Sequence, residues 1–155
     1  MVQLIVDQLL AYGIRKVVVS PGSRNAPFSI AFDEHPEIET FVVHDERSAG
    51  FIALGMAQEL GETIALCCTS GSACLNYYPA VSEAYYRSIP LLVLTADRPA
   101  AWINHGDGQT IVQRDVFKNH ILGSLEMDED LFEQNSIEQH QTELASLLSV
   151  TTSTW

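Results

Sequence analysis

Three of the eight basic residues in this chain fall in short loops that are otherwise rich in small and polar residues. Arg24 lies in SPGSRN, Arg47 in HDERSAG and Arg98 in TADRP, whereas the whole chain carries 20 acidic residues and a formal net charge of -12. An arginine guanidinium binds carboxylates and phosphates through two parallel hydrogen bonds. The loops therefore predict a local anion site, although ion pairs with carboxylates at helix starts would also explain these arginines.

Two of the loops, SPGSR and TSGSA, place glycine and hydroxyl side chains before a predicted helix. The free backbone N–H groups and the dipole at a helix N-terminus favour an anion. Neither loop contains the glycine-lysine pattern of a phosphate loop or the G-x-G-x-x-G of a dinucleotide site. Neither matches the G-x-S-x-G of a hydrolase, so nucleotide binding and serine-nucleophile chemistry are both disfavoured.

Glu46 and Arg47 begin a predicted helix directly after a predicted strand. An acidic side chain in a first turn complements the helix dipole, and position alone makes this the simplest interpretation of Glu46. Arg47 fits either the anion site or an exposed position facing Asp45 or solvent. These two residues do not by themselves indicate a reaction.

The histidines and cysteines do not favour a metal site or a disulfide framework. The five histidines show no i, i+4 pairing and have no cysteine or carboxylate partner at ligand spacing. Cys67 and Cys68 are adjacent in an apolar run, and Cys74 follows further on, which matches neither zinc-ligand nor disulfide spacing. We expect three reduced core cysteines and no metal ligands in this chain.

Length and composition predict one domain spanning residues 1–155. Hydrophobic residues make up 46% of the chain, yet no apolar run approaches the ~20 residues of a membrane span. The N-terminus lacks the basic region and the cleavage site of a signal peptide, so we expect a cytoplasmic protein. The negative charge repels polyanions and argues against nucleic-acid binding.

Apolar runs alternate with helical patterns along the chain. Strands are predicted at 16–20, 40–43, 63–68 and 90–96, with a weaker one near 120–125. Helices are predicted from Val2 to Gly13, after Asn25 and Pro27, after Asp45, over about 73–88 with an interruption at Pro79, and near 136–149. This alternation predicts an α/β fold, a three-layer doubly wound and mostly parallel sheet, without determining the strand order. Ligands bind such sheets at the loops that leave the carboxyl ends of the strands, which here are the four loops named above.

Five ordered motifs carry a family resemblance. They are SPGSRNAPF at 20–28, HDERSAGFIALGMA at 44–57, TSGSACLNYYPAVSEA at 69–84, LLVLTADRP at 91–99 and GDGQTI at 106–111. Together they resemble the N-terminal pyrimidine-binding domain of the succinyl-enolpyruvyl-hydroxycyclohexene-carboxylate (SEPHCHC) synthases, transferases of menaquinone biosynthesis that depend on thiamine diphosphate. The match runs from about Val2 to Phe117.

The resemblance implies an enzyme that decarboxylates 2-oxoglutarate and adds the succinyl unit to isochorismate, with thiamine diphosphate and Mg²⁺ or Mn²⁺ as cofactors. It makes Glu46 the catalytic glutamate that hydrogen-bonds N1′ of the cofactor pyrimidine, and it places Ser70 and Gly71 beside the cofactor. It assigns the substrate site to Ser23, Arg24, Arg98 and Gln109. The family commonly has Asn where this chain has Gly108, which removes one expected polar contact with substrate.

The resemblance also implies that the metal and the diphosphate bind a separate domain, contributed by another subunit of a homo-oligomer. Gly106, Asp107 and Gly108 with Asn135 imitate the family's metal motif, but no buried strand precedes either part, so we expect no metal there. The chain is then expected to be an inactive fragment of a longer enzyme. Two alternatives remain open: the pyrimidine domain of another thiamine-diphosphate 2-oxoacid decarboxylase or synthase, and a noncatalytic doubly wound regulatory module.

Overall fold

The centre of the molecule is a parallel sheet. A computed structural model describes residues 1–103, 105–106, 108–127 and 134–152, except for the side chains of 134–136 and 151–152. Its four strands are β1 (Lys16–Val19), β2 (Glu39–Val42), β3 (Ile64–Cys68) and β4 (Leu91–Thr95). They lie in the order β2-β1-β3-β4, and all neighbouring pairs are parallel. The parallel sheet predicted from the apolar runs is confirmed.

In the described residues, five α-helices precede, connect or follow the strands. They are α1 (Val2–Ala11), α2 (Ala26–Glu34), α3 (Glu46–Leu60), α4 (Ser72–Arg87) and α5 (Gln134–Thr152). Among the residues described between β4 and α5 are two short 3₁₀ helices, Ala100–Trp102 and Lys118–His120. Within the described ranges, no helix is both long and apolar enough to cross a bilayer.

The helices cover both faces of the sheet and make three layers. On one face, α3 and α4 pack on Val18 and Leu66. On the other face, α1, α2 and α5 pack on Val17 and Cys67, because successive strand residues point to opposite faces. The predicted three-layer α/β architecture is therefore confirmed. Close packing of α3 on α4 depends on small residues, since a Cβ added at Gly50 would lie 2.9 Å from Cβ of Ala80.

The helix that follows β2 begins where the sequence predicts. The side chain of Asp45 accepts a hydrogen bond from the backbone N–H of Ser48 at 2.7 Å, which satisfies one of the free donors of the first turn. The other end is closed by Gly61 in the left-handed conformation. The N-cap role predicted for Asp45 is confirmed, and Glu46 is left as the first helical residue.

The interruption predicted at Pro79 is wrong, because α4 continues through this residue. A proline inside a helix removes one backbone hydrogen bond and costs about 3 kcal/mol. Tyr77, Ala80 and Val81 are buried beside it, and their packing on the sheet and on α3 offsets that cost. Tertiary packing here outweighs a local helix breaker.

The weak strand predicted near 120–125 is also wrong. After the 3₁₀ helix at Lys118–His120, residues 121–127 follow an irregular path. Ile121 packs against the core on the α3 and α4 face, whereas Leu125 and Met127 pack against the core on the opposite face. This short segment therefore packs against the cores on both faces of the sheet and does not form a strand.

Candidate functional site

The loop after β1 is held against the loop after β3. Side-chain Nδ2 of Asn25 donates a hydrogen bond to the carbonyl of Ser20 at 3.0 Å, and both residues are buried. The backbone N–H of Arg24 donates to Oγ1 of Thr69 at 3.4 Å. A Cβ at Gly22 would lie 2.5 Å from Cβ of Thr69, so this approach requires glycine. Asn25 precedes α2 as predicted, but its side chain anchors the loop and does not cap the helix.

The loop after β3 is crossed by the segment that carries Gln109. Gly71 adopts φ 79° and ψ −140°, a conformation nearly restricted to glycine, and the backbone of Gln109 lies against it. The hydroxyl of Ser70 donates to the carbonyl of Gln109 at 3.4 Å. Two motifs about 40 residues apart in the chain, TSGSA and GDGQ, therefore meet at the carboxyl end of β3.

The buried side chain of Gln113 forms hydrogen bonds that connect two of these loops. Oε1 of Gln113 accepts a hydrogen bond from the backbone N–H of Gly71 at 2.6 Å, and its Nε2 donates to the carbonyl of Ala96 at 3.0 Å. One side chain thus connects the ends of β3 and β4. Because Gly71 already donates to Gln113, its N–H is not free to bind an anion at the start of α4.

Arg24 and Arg98 converge on one aromatic ring. The guanidinium carbons of Arg24 and Arg98 lie 5.6 and 5.8 Å from the centre of the Trp102 ring, within the range of cation–π attraction. Nη2 of Arg98 also donates to the carbonyl of Gly108 at 2.7 Å. Nε of Arg98 is buried and has no hydrogen-bond partner among the described residues.

No carboxylate in the described part of the chain forms an ion pair with Arg24 or Arg98. The nearest acid in sequence, Asp97, instead accepts a hydrogen bond from the backbone N–H of Arg98 at 2.7 Å. Burial raises the pKa of Asp97, against the lowering effect of that bond. At the carboxyl end of the sheet, the positive charges of Arg24 and Arg98 are therefore not neutralised by a carboxylate of the described residues.

Glu46 lies at the same edge, at the start of α3, and is half-buried. Burial raises the pKa of Cys68 and of Tyr77, and the negative charge of Glu46 adds a smaller contribution in both cases. Since Asp45 caps the helix, Glu46 is not needed for that purpose. Among the described residues it forms no hydrogen bond and no ion pair, so its carboxyl group is available to a ligand.

Two other residues singled out from the sequence, Arg47 and Ser23, are exposed. Hydrogen bonds from Ser48 lower the pKa of Asp45, and the positive charge of the exposed Arg47 adds a smaller lowering effect. Ser23 is exposed beside Arg24. Asp107 and the side chain of Asn135 lie outside the described residues, so the expectation that they bind no metal stays a prediction. In the described ranges, no group of three or more His, Cys, Asp or Glu side chains could hold a metal ion.

The cysteines are free and buried, as predicted. Burial raises the pKa of Cys67 to about 11, against the lowering effect of a hydrogen bond from Asn25. Burial likewise raises the pKa of Cys74 to about 11, and the charge of Asp97 adds to the rise. Thiolate chemistry at neutral pH is therefore disfavoured at these two positions.

Sequence reasoning missed Trp102 and Gln113. A tryptophan in a polar loop four residues after Arg98 is a usable signal, because large aromatic side chains are uncommon in such loops. Gln113 offers no comparable signal. Its importance arises from two backbone groups that are distant in sequence and become neighbours only in the folded chain.

Comparisons with known proteins identify the family of this chain. The family model for "Thiamine pyrophosphate enzyme, N-terminal TPP binding domain" matches residues 1–120. The 2-succinyl-5-enolpyruvyl-6-hydroxy-3-cyclohexene-1-carboxylate synthase of Christiangramia forsetii is 55% identical over 131 residues, which cover 84% of this chain and 23% of that protein. The protein of the same name from Porphyromonas gingivalis is 57% identical over 112 residues, which cover 72% of this chain and 19% of that protein. The chain thus spans roughly a quarter or less of these relatives.

A solved structure supports the fold. Benzoylformate decarboxylase from Polynucleobacter necessarius superposes with a TM-score of 0.70 at 20% sequence identity, covering 81% of this chain and 24% of that one. At this identity the likeness concerns the fold alone. The family match covers most of the chain and agrees with the five motifs, so the chain belongs to the family of N-terminal TPP-binding domains of thiamine pyrophosphate enzymes.

Proposed function

We propose that this chain supplies the pyrimidine-binding half of the active site of a SEPHCHC synthase. The reaction is decarboxylation of 2-oxoglutarate and addition of the succinyl unit to isochorismate in menaquinone biosynthesis. The observation that carries the proposal is the pair Arg24 and Arg98, which lie at one ring and have no carboxylate partner among the described residues. Both substrates carry two carboxylates, the groups that guanidinium forks bind best.

Glu46 fits the cofactor role that the family resemblance implies. Thiamine diphosphate, when bound, supplies the carbon nucleophile that the protein itself lacks. The part of Glu46 is to share a proton with N1′ of the aminopyrimidine. Its carboxyl group is half-buried and accepts no hydrogen bond from the described residues, so it is free to do so.

Ser70 and Gly71 support the cofactor by shape more than by charge. The N–H of Gly71 and the hydroxyl of Ser70 are engaged by Gln113 and Gln109. Because Gly71 has no side chain, the backbone of this turn can lie close to the backbone of Gln109. Ser23 and Gln109, both exposed at the site edge, are proposed to contact substrate directly.

The other half of the site belongs to a second domain in this proposal. That domain binds the diphosphate together with Mg²⁺ or Mn²⁺, and it comes from another subunit of a cytoplasmic homo-oligomer. The relatives are about four times longer than the matched region, which leaves room for such a domain. The 155-residue chain alone is then expected to be inactive.

The proposal is tested by complementation. The chain is mixed with the separately expressed remaining domains of the Christiangramia forsetii synthase, thiamine diphosphate, Mg²⁺, 2-oxoglutarate and isochorismate. We expect product only in the mixture, and a loss of about 100-fold or more with Glu46→Gln, because proton transfer of this kind typically contributes that much. Glu59→Gln, on the exposed side of the same helix, is the matched control and should retain activity.

A covalent chimera keeps the test decisive if the separate pieces do not associate. In it, the chain replaces the matched N-terminal region of the relative. A folded chimera that turns over neither substrate would contradict the proposal, and full activity of the Glu46→Gln chimera would contradict the role of Glu46.

A further inference from the structure

Trp102 is fixed immediately beside the arginine that follows β4. It ends the 3₁₀ helix Ala100–Trp102, and its backbone N–H donates to the carbonyl of Pro99 at 2.8 Å. The next turn is closed by a bond from the N–H of Ile103 to the carbonyl of Ala100 at 3.2 Å. Trp102 is 45% exposed, so this residue borders the solvent at the edge of the site.

The ring joins two arginines from different parts of the fold. Arg24 follows β1 and Arg98 follows β4, and β3 lies between these two strands. Two guanidinium groups close together repel one another, and within the described residues no carboxylate pairs with either of them. The negative face of an indole attracts cations, so a shared ring lowers the cost of holding both charges in place.

We propose that Trp102 is a positioning residue that holds Arg24 and Arg98 together as one receptor for a small dicarboxylate. The inference deepens the proposed function and rests on it for the class of substrate. Arg98 is further oriented by the hydrogen bond from its Nη2 to the carbonyl of Gly108. Its buried Nε has no partner among the described residues. Two guanidinium groups that contact one ring match two carboxylates on one molecule better than they match a monocarboxylate.

Fluorescence of the chain provides a direct test that does not depend on catalysis. The chain has two tryptophans, so Trp155→Phe makes Trp102 the sole indole emitter. We expect its emission to change saturably with 2-oxoglutarate and with succinate, and at least tenfold higher concentrations of propionate to be needed. An emission that responds to neither dicarboxylate, or equally to propionate and inorganic phosphate, overturns the proposal.

Substitution of the ring tests positioning against simple packing. With Trp102→Leu we expect the calorimetric Kd for 2-oxoglutarate to rise about tenfold, whereas Trp102→Phe should restore most of the affinity because a phenyl ring keeps part of the cation–π attraction. In the complemented enzyme, Trp102→Leu should raise KM for 2-oxoglutarate and leave kcat within about twofold of the parent value. Tyr86→Leu, which removes a more exposed aromatic ring on α4, is the control and should leave the Kd unchanged.

The outcomes separate this inference from the proposed function. Equal affinities of the Leu and Phe variants and the parent chain overturn the role of Trp102, even if the complemented enzyme is active. Dicarboxylate binding that depends on Trp102, in a chain that never complements, supports the receptor and argues against the proposed reaction.

Discussion

The positively charged side chains at the two ends of the sheet have different kinds of partner. At the amino end, two cations lie beside glutamates. The pairs are Arg15 with Glu37 at 3.6 Å and Lys16 with Glu62 at 2.7 Å. At the carboxyl end, Arg24 and Arg98 contact Trp102 and, for Arg98, a carbonyl, but no carboxylate among the described residues.

This difference separates charges used within the fold from charges available to a ligand. Carboxylates are abundant in a chain with 20 acidic residues, so pairing is easily achieved, as the amino end shows. An aromatic ring orients a cation without neutralising it. The carboxyl end therefore keeps two arginines available to an anionic substrate on a protein of net charge -12.

Gly61 and Gly71 lie at the opposite ends of β3 and provide the largest expected contrast. Both have positive φ, but a Cβ at Gly61 would meet open space, whereas one at Gly71 would collide with the backbone of Gln109. We expect Gly71→Ala to lower the free energy of unfolding by about 3 kcal/mol. Gly61→Ala, in the ordinary left-handed region, should cost about 1 kcal/mol. Urea unfolding of both variants measures the difference. Equal losses of unfolding free energy would show that the segment carrying Gln109 is not tightly packed against Gly71.

Removal of single arginines tests the comparison by function. We expect Arg24→Ala and Arg98→Ala each to weaken 2-oxoglutarate binding by about 10- to 100-fold, since a hydrogen bond to a charged group contributes roughly 1.5–3 kcal/mol. Arg15→Ala removes the same side chain from the ion-paired end and should change binding by less than about twofold. Titration calorimetry gives the three Kd values. The contrast between the two ends fails if Arg15→Ala weakens binding as much as the other two variants.

Breaking an ion pair at the amino end should have the smallest effect. Lys16→Met removes a pair whose members are 24% and 52% exposed in their side chains. We expect a loss of about 0.5 kcal/mol in unfolding free energy, because surface pairs are weakened by solvent and salt. Addition of Glu62→Gln should cost little more, and about 1 M NaCl should reduce the difference from the parent chain. A loss that is several times larger and insensitive to salt would indicate that this end contributes more than a surface pair.

Local patterns were enough to predict most elements and most of the site edge. The apolar runs at β1 and β3 are continuous because those strands lie inside the sheet between two layers of helices, and such burial can be predicted from the residues themselves. Asp45 was predicted as an N-cap because capping depends on one side chain and the next turn. The errors at Pro79 and near 120–125 arose where distant packing overrides a local preference.

The sequence by itself determined the fold class, the family and the four loops that lie at the carboxyl end of the sheet, because these follow from short-range patterns and from motifs in a fixed order. Only the tertiary structure decided the strand order, the convergence of Arg24 and Arg98 on Trp102, and the bond from Gly71 to Gln113 across 42 residues. The physical reason is that such contacts join segments whose spacing along the chain carries no information about their distance in space. They form once the parallel strands bring all their carboxyl ends to one edge of the sheet.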